Sequence, residues 1–197
     1  RGRTPRKPQR MKLDLFLKNG LLVLPGQGCL PGGLGCRHGR IAVIAGPGEP
    51  FDAAQTIDRK GQWILPGLID PHVHFGFGDP ENDFRTESRS ALIGGVTSVI
   101  SFYRTKDFLT DFAAKQAQAE SQSAIDFSFH LGLTSVPHVD GLAECYRRFG
   151  VSSYKMYMMY KGQAGLAKAF THIDDGLLFA AMREAAAFRG ASLVIAY

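Results

Sequence analysis

Apolar and polar positions follow two rhythms along the chain, with the change near Trp63. Before it, Leu13, Leu15 and Leu17 recur at every second position, the period of a strand. Residues 21–24 form a second apolar run directly after Asn19-Gly20, a pair that predicts a hairpin turn. Residues 25–35 are rich in Gly and Pro and predict a loop. Residues 41–45 predict a further strand after His38-Gly39-Arg40. Nothing catalytic is evident in this stretch, residues 11–60.

From residue 61 onward short apolar runs alternate with helical patterns. Residues 63–69 predict a strand that runs into Asp70-Pro71-His72-Val73-His74. A helix follows over 83–93, with Asp83 as its N-cap and Gly94-Gly95 as its stop. Residues 96–102, β-branched and apolar, predict the second strand, and 106–121 a helix with Phe108, Leu109 and Phe112 at helical spacing. The third strand spans 125–133, with Phe127, Phe129 and Leu131 on one face. A helix over 139–149 ends at Gly150, and 151–159 is the fourth strand. Asp174 or Asp175 caps a last helix, which Gly190 stops, and a fifth strand begins at Ser192. Strands alternating with helices imply a parallel sheet with right-handed crossovers. A doubly wound sheet and a closed barrel both fit that pattern.

Composition narrows the class. The chain has 197 residues, 45% hydrophobic and 21% charged, ordinary for a globular domain with a proper core. No apolar run reaches membrane-spanning length, and the basic start lacks the apolar segment of a secretory signal. The net charge of +5 points at first to nucleic acid. Arg1, Arg3, Arg6, Lys7 and Arg10 account for five of the 23 basic residues, and the 18 that remain match the 18 acidic ones. The charge therefore belongs to a leader, residues 1–10, that reads as disordered, while the body is neutral; no nucleic-acid partner and no membrane are expected. Met11 is a candidate for the true start. The three cysteines, Cys29, Cys36 and Cys145, form no metal motif, and their odd count fits a reducing, cytoplasmic setting. Cys29 and Cys36 flank the Gly/Pro stretch and lie within reach of pairing, although a structural thiol is the plainer reading of all three.

Three places carry candidate chemistry. His72 and His74 are two residues apart on a strand end, so both imidazoles point one way with Val73 turned aside. Two such nitrogens suit a zinc-like divalent ion with open positions; the alternative is a pair of polar residues in a strand-end loop. Lys155 shares a strand face with Ser153 and Tyr157, while Tyr154, Met156 and Met158 take the other. A lysine inside an apolar strand is costly when charged and is driven toward the neutral amine, unless its stem carries the charge out to solvent. Asp70 either supports a ligand from behind or stabilises the strand-end turn. His130, His138 and His172 read as structural, and 162–165 as a loop near the site or a plain linker.

The run from Leu65 to His74 resembles the first-strand signature of the amidohydrolase superfamily. Phe84-Arg85-Thr86-Glu87-Ser88, Gly94-Gly95-Val96-Thr97-Ser98-Val99-Ile100 and the stretch from Ser153 to Gly162 are similar to the hydantoinase/dihydropyrimidinase branch, in the family's order. The resemblance runs from about Leu13 to the end. It implies a partial TIM-like (β/α) metal-dependent hydrolase barrel over 61–197, with part of a small N-terminal β-sandwich over 11–60. It implies His72, His74 and Lys155 as metal ligands, Lys155 as a CO2-derived carbamate bridging two divalent ions, zinc foremost. Tyr160, at the family's substrate-binding tyrosine, would donate to the oxyanion. Its spacing from Lys155 requires the strand to end before it.

The implied activity is hydrolysis of a small cyclic amide or imide by a hydroxide shared between the metals, in a cytoplasmic homo-oligomer, a tetramer when full length. Further family ligands end strands five and six, and the catalytic aspartate ends strand eight; the chain therefore reads as an N-terminal fragment. Tyr197 either takes the strand-five histidine's place or directly precedes it. Alternatives are an allantoinase-like or dihydroorotase-like enzyme, a non-enzymatic hydantoinase-like scaffold that regulates the cytoskeleton, and a doubly wound binding domain. Dihydroorotases carry an arginine two residues after the second histidine, where this chain has Gly76.

Overall fold

The structure is a computed structural model and describes residues 12–160, 163, 165 and 173–196. The basic leader, Gly162, His172 and Tyr197 lie outside the described residues. The chain divides into two compact units, one ending at Pro66 and one starting at Gly67.

The first unit is a small mixed sheet. Its strands are β1 (Leu13–Leu24), β2 (Gly28–Arg37), β3 (Arg40–Ala45), β4 (Ala53–Asp58) and β5 (Trp63–Ile64). The order is β3-β2-β1-β4, with β5 also on β1; β2 is antiparallel to β1 and β3, whereas β4 and β5 run parallel to β1. Two expectations fail here. Asn19-Gly20 makes no hairpin: β1 runs straight through it, and the register against β2 shifts between Leu17 and Gly20. Asn19 takes the left-handed conformation (φ 56°) that a hairpin would also have used, but spends it on a bulge. Its side chain donates to Asp58 Oδ2 (3.0 Å) and its carbonyl accepts from Gly61 N–H (2.7 Å), so neighbouring residues hold the bulge in place. The expected loop at 25–35 shrinks to a turn, closed by Gln27 N–H on Leu24 O (3.0 Å), and most of that stretch is β2. Its glycines permit close packing: a Cβ on Gly33 would stand 2.8 Å from the Phe16 ring. Leu13, Phe16 and Ala45 form the unit's core, with Phe51 against Phe16.

The second unit holds β6 (Leu68–Val73), β7 (Val96–Tyr103), β8 (Asp126–Gly132), β9 (Ser153–Tyr157) and β10 (Ser192–Ala196). All neighbours are parallel, and the order β10-β9-β8-β7-β6 follows the chain without reversal. A doubly wound sheet reverses its order at a switch point; a barrel adds each strand beside the last. The unit is a partial TIM-like barrel. Its helices are α1 (Asp83–Ile93), α2 (Phe108–Gln122), α3 (Val136–Asp140), α4 (Leu142–Phe149) and α5 (Asp175–Ala185). None among the described residues is long and apolar enough to cross a membrane.

Local details depart from expectation for identifiable reasons. The apolar run 63–69 is divided between the two sheets, as β5 and β6. Asn82, not Asp83, is the N-cap of α1; the Asp83 carboxylate instead accepts from the N–H of Gly76 (2.9 Å) and Gly78 (3.2 Å). The helix expected over 139–149 starts earlier, at Val136, and breaks at Gly141, which caps α3 and opens α4. Asp174 caps α5 and accepts from Leu177 N–H (2.8 Å). Phe84, Phe112 and Phe129 interlock beneath α1 and α2, with Phe129 5.7 Å from Phe84 and 5.1 Å from Phe112, ring centre to ring centre. Each such buried ring contributes roughly 1.5–3 kcal/mol of transfer free energy. This packing fixes the strand ends on which the candidate site stands.

Candidate metal centre

The site grows from the end of β6. Pro71 has no N–H to donate, which an edge strand tolerates. Asp70 Oδ1 accepts from His72 N–H (2.9 Å), so Asp70 shapes the strand end by holding the backbone of His72. Beyond this point His72 and His74 present their rings with centres 5.4 Å apart. Both rest on Phe102 of β7, at 4.6 and 4.8 Å. Phe102 is thus the floor of the pair.

Lys155 arrives from β9. It is 4% exposed, and its Nζ lies 3.5 Å from His72 Nε2 and 3.8 Å above the Phe102 ring. The Tyr157 ring closes another side, 4.9 Å from Nζ. Burial lowers the Lys155 pKa, favouring the free amine. His74 is likewise held below the ordinary imidazole value, first by desolvation and then by the charges of Lys155, His72 and Arg104. A neutral imidazole is the form that binds a metal. Strand β9 ends at Tyr157, and Tyr160 follows a turn in which its N–H donates to Tyr157 O (3.2 Å). The Tyr160 ring stands 6.0 Å from that of Tyr157.

Among the described residues no group of three His, Cys, Asp or Glu side chains converges. The donors that do meet are two imidazoles and a buried amine. They fit a metal pair chemically: the imidazoles are borderline ligands, and the amine gains two oxygens when carboxylated. Cys29 and Cys36 both lie in β2, opposite Val23 and Leu15, and both are free, so they do not pair with each other. Burial pushes the free Cys145 thiol up to about 11, which leaves it an inert core group.

No family model matches the chain. It is 37% identical over 149 residues to a dihydroorotase of Methanothermobacter thermautotrophicus, covering 72% of this chain and 33% of the relative. It is 32% identical over 182 residues to a D-hydantoinase of Rhizobium radiobacter, covering 88% of this chain and 38% of the relative. The solved L-hydantoinase (dihydropyrimidinase) of Arthrobacter aurescens superposes with a TM-score of 0.80 at 27% identity, over 93% of this chain and 40% of that one. The chain belongs to the hydantoinase family of the amidohydrolase superfamily. It spans between a third and two-fifths of the length of the curated relatives it matches.

Within this hydantoinase-family unit, two histidines expected to be structural have defined partners. His130 on β8 is 4% exposed and stacks on Phe102, the site's floor, with ring centres 4.6 Å apart. Its Nε2–H donates to Pro71 O (2.9 Å), so its Nδ1 accepts from the Ser153 hydroxyl. It therefore ties the residue before His72 to the residue two before Lys155. Desolvation holds it below the ordinary imidazole value, against the Pro71 carbonyl. His138 serves α3, far from this cluster in role, and accepts from Thr134 N–H (3.1 Å) through Nδ1. Sequence reasoning read His130 as structural and missed what it holds; its only signal was a polar residue between Phe129 and Leu131 in a buried strand.

Proposed function

We propose that the complete protein carrying this chain is a metal-dependent hydrolase that opens cyclic amides or imides, like a dihydropyrimidinase or D-hydantoinase. The observation that carries this is Lys155: a buried amine on barrel strand β9, aimed at His72 Nε2 and set between two aromatic rings. The neutral amine attacks CO2; an N–C bond forms, the nitrogen gives up a proton, and a carbamate with two oxygens results. His72, His74 and that carbamate would hold two divalent ions, zinc foremost. When bound, the ions supply Lewis acidity and a hydroxide available near neutral pH. This chain's residues do the rest. Phe102 and His130 fix the imidazoles, Asp70 fixes the His72 backbone, and Tyr160 donates to the carbonyl oxygen as it gains charge.

A dihydroorotase-like or allantoinase-like ring is the second reading, supported by the dihydroorotase relative. Gly76 weighs against it, since no side chain stands at the position where dihydroorotases carry an arginine. A non-catalytic scaffold is disfavoured because His72, His74 and Lys155 are all in place. A cytoplasmic homo-tetramer is the assembly we propose for the complete protein. Replacing His72 and His74 together by Ala tests the core of the proposal. The complete protein should lose about one metal ion or more per subunit, and nearly all ring opening, by elemental analysis and turnover of dihydrouracil or hydantoin. Unchanged metal content would reject the ligands.

A further inference from the structure

The loop that follows His74 is fastened residue by residue, and nothing in the hydrolysis described above uses the fastening. Three rings meet the His74 imidazole. His72 and Phe102 stand on β6 and β7, whereas Phe77 stands on this loop, edge-on to His74 with centres 5.1 Å apart. Phe77 is 44% exposed, so burial alone does not keep its ring in that place. The Arg104 guanidinium reaches the same ring, 5.1 Å from its centre, but does not set the backbone that carries it. Whatever fixes that backbone fixes one side of His74.

Four successive N–H groups of the loop each have an acceptor. Phe75 N–H donates to the buried Ser101 hydroxyl (3.0 Å), and Phe77 N–H to His74 O (3.3 Å). Gly76 and Gly78 N–H, on either side of Phe77, both donate to one oxygen, Asp83 Oδ2 (2.9 and 3.2 Å). A carboxylate accepts such bonds more strongly than a neutral group, and the first turn of α1 favours its charge. Gly76 makes the turn with φ of 87°, a conformation glycine adopts without strain. A Cβ there would also stand 2.8 Å from Lys115 Nζ. Helix α2 holds the far end of the loop: Gln118 Nε2 donates to Pro80 O (3.0 Å) and Gln122 Nε2 to Glu81 O (2.7 Å). Those contacts lie three residues or more beyond Phe77, whereas Asp83 grips the residues directly beside it.

We propose that Asp83 is the positioning residue for His74: by holding the N–H groups on both sides of Phe77, it presses that ring against the imidazole and aims the imidazole at its metal. The inference rests on the proposed ligand role of His74 and adds how that ligand is held. Asp83 acts only through the loop and through Phe77. Both of its hydrogen bonds end on a single oxygen, so an amide oxygen in the same place serves the geometry, more weakly.

Two measurements on the complete protein test it, one with metal and one without. Co2+ affinity, read by competition with a chelator, should fall roughly tenfold in Asp83→Ala, and Asp83→Asn should recover most of it. Gly76→Ala strains the same turn with the carboxylate intact and should weaken Co2+ binding as well. In a Phe77→Ala background, Asp83→Ala should change the affinity by less than about twofold, because the two residues act through one contact. In the metal-free protein, labelled with 13C at histidine Cε1, Asp83→Ala should shift the His74 signal, which lies beside the Phe77 ring, and leave that of His138 in place. This second measurement is independent of the hydrolase reading. If the His74 signal shifts but the wild type binds no Co2+, the hydrolase reading falls and the hold of Asp83 on His74 stands. A folded Asp83→Ala with wild-type Co2+ affinity and an unmoved His74 signal overturns the inference, as does an equal loss of affinity with and without Phe77. Should Asp83→Ala not fold, Gly76→Ala decides: an unchanged affinity and an unmoved His74 signal in that variant overturn the inference too.

Discussion

Lys155 occupies a place that a lysine kept for charge would avoid. It is nearly sealed from solvent, lies over one aromatic ring and beside another, and faces an imidazole nitrogen rather than a carboxylate. If its task is to become a carbamate, Lys155→Ala should abolish metal binding and turnover in the complete protein. Lys155→Arg should fail as well, because a guanidinium stays charged and cannot take up CO2. A short carboxylic acid added to the Ala variant should restore part of the activity. Protein prepared without CO2 should carry less metal until bicarbonate is supplied. Full metal occupancy and full turnover in Lys155→Arg would reject the carbamate. At this scale the motifs singled out His72, His74 and Lys155, and the structure brings those three side chains together, with Lys155 Nζ 3.5 Å from His72 Nε2; their role as ligands is part of the proposal. The chain was not readable where the partner lies on another strand. Arg104 meets Phe77, Tyr157 and Gly132 across three different strand ends, and no local spacing foretells such a meeting.

Elements were legible where one periodicity met one burial pattern. The strand at Val96–Tyr103 and the helix at Asp83–Ile93 came out within a residue or so of expectation. Boundaries slipped where a residue had two uses. Asn19-Gly20 serves a hairpin or a bulge equally well, and β4 on the far side of β1 decides for the bulge. The helix around Val139 was expected as one piece because Gly141 sits inside an apolar pattern. The structure breaks it there, and His138 staples its first segment to the preceding loop. His138 Nδ1 accepts from Thr134 N–H, and its Nε2–H donates to Lys106 O (3.0 Å), an arrangement open only to the neutral ring. Desolvation lowers its pKa, more than Lys106 O and Asp107 raise it. A depressed folded value means that the unfolded chain binds the proton first. The stabilisation is complete above the unfolded value of about 6.5 and fades as pH falls toward the folded one. We therefore expect His138→Gln to cost roughly 1–3 kcal/mol in denaturant unfolding at pH 7.5, and the gap to the wild type to narrow by pH 5. A gap that stays constant over this range would show that His138 does not titrate on folding.

At the scale of the molecule, the sequential strand order makes a claim about what the second unit needs. Among the described residues, each of β7, β8 and β9 has two strand neighbours, whereas β6 and β10 have one each. A closed barrel has no edges; an open parallel sheet leaves rows of N–H and C=O groups on both sides. The unit also exposes large apolar side chains, Leu68 at 54% and Ile69 at 69% on the edge strand β6 itself, and Ile93 at 90% at the end of α1. Edge strands of soluble proteins are normally blunted by charge, bulges or proline; β6 has Pro71 and Asp70, but its first two residues are bare aliphatics. The relatives it matches are more than twice its length, so the same strands can find partners there that these 197 residues do not contain. We expect the 197-residue chain, produced by itself, to bind a hydrophobic dye such as ANS and to self-associate at micromolar concentration. It should open neither dihydrouracil nor hydantoin. Size-exclusion chromatography with light scattering, dye fluorescence and a ring-opening assay check this together. A monodisperse monomer with low dye binding and a single cooperative unfolding transition would mean that five parallel strands suffice as a stable half-barrel. The apolar edge of β6 would then need another explanation than a missing neighbour.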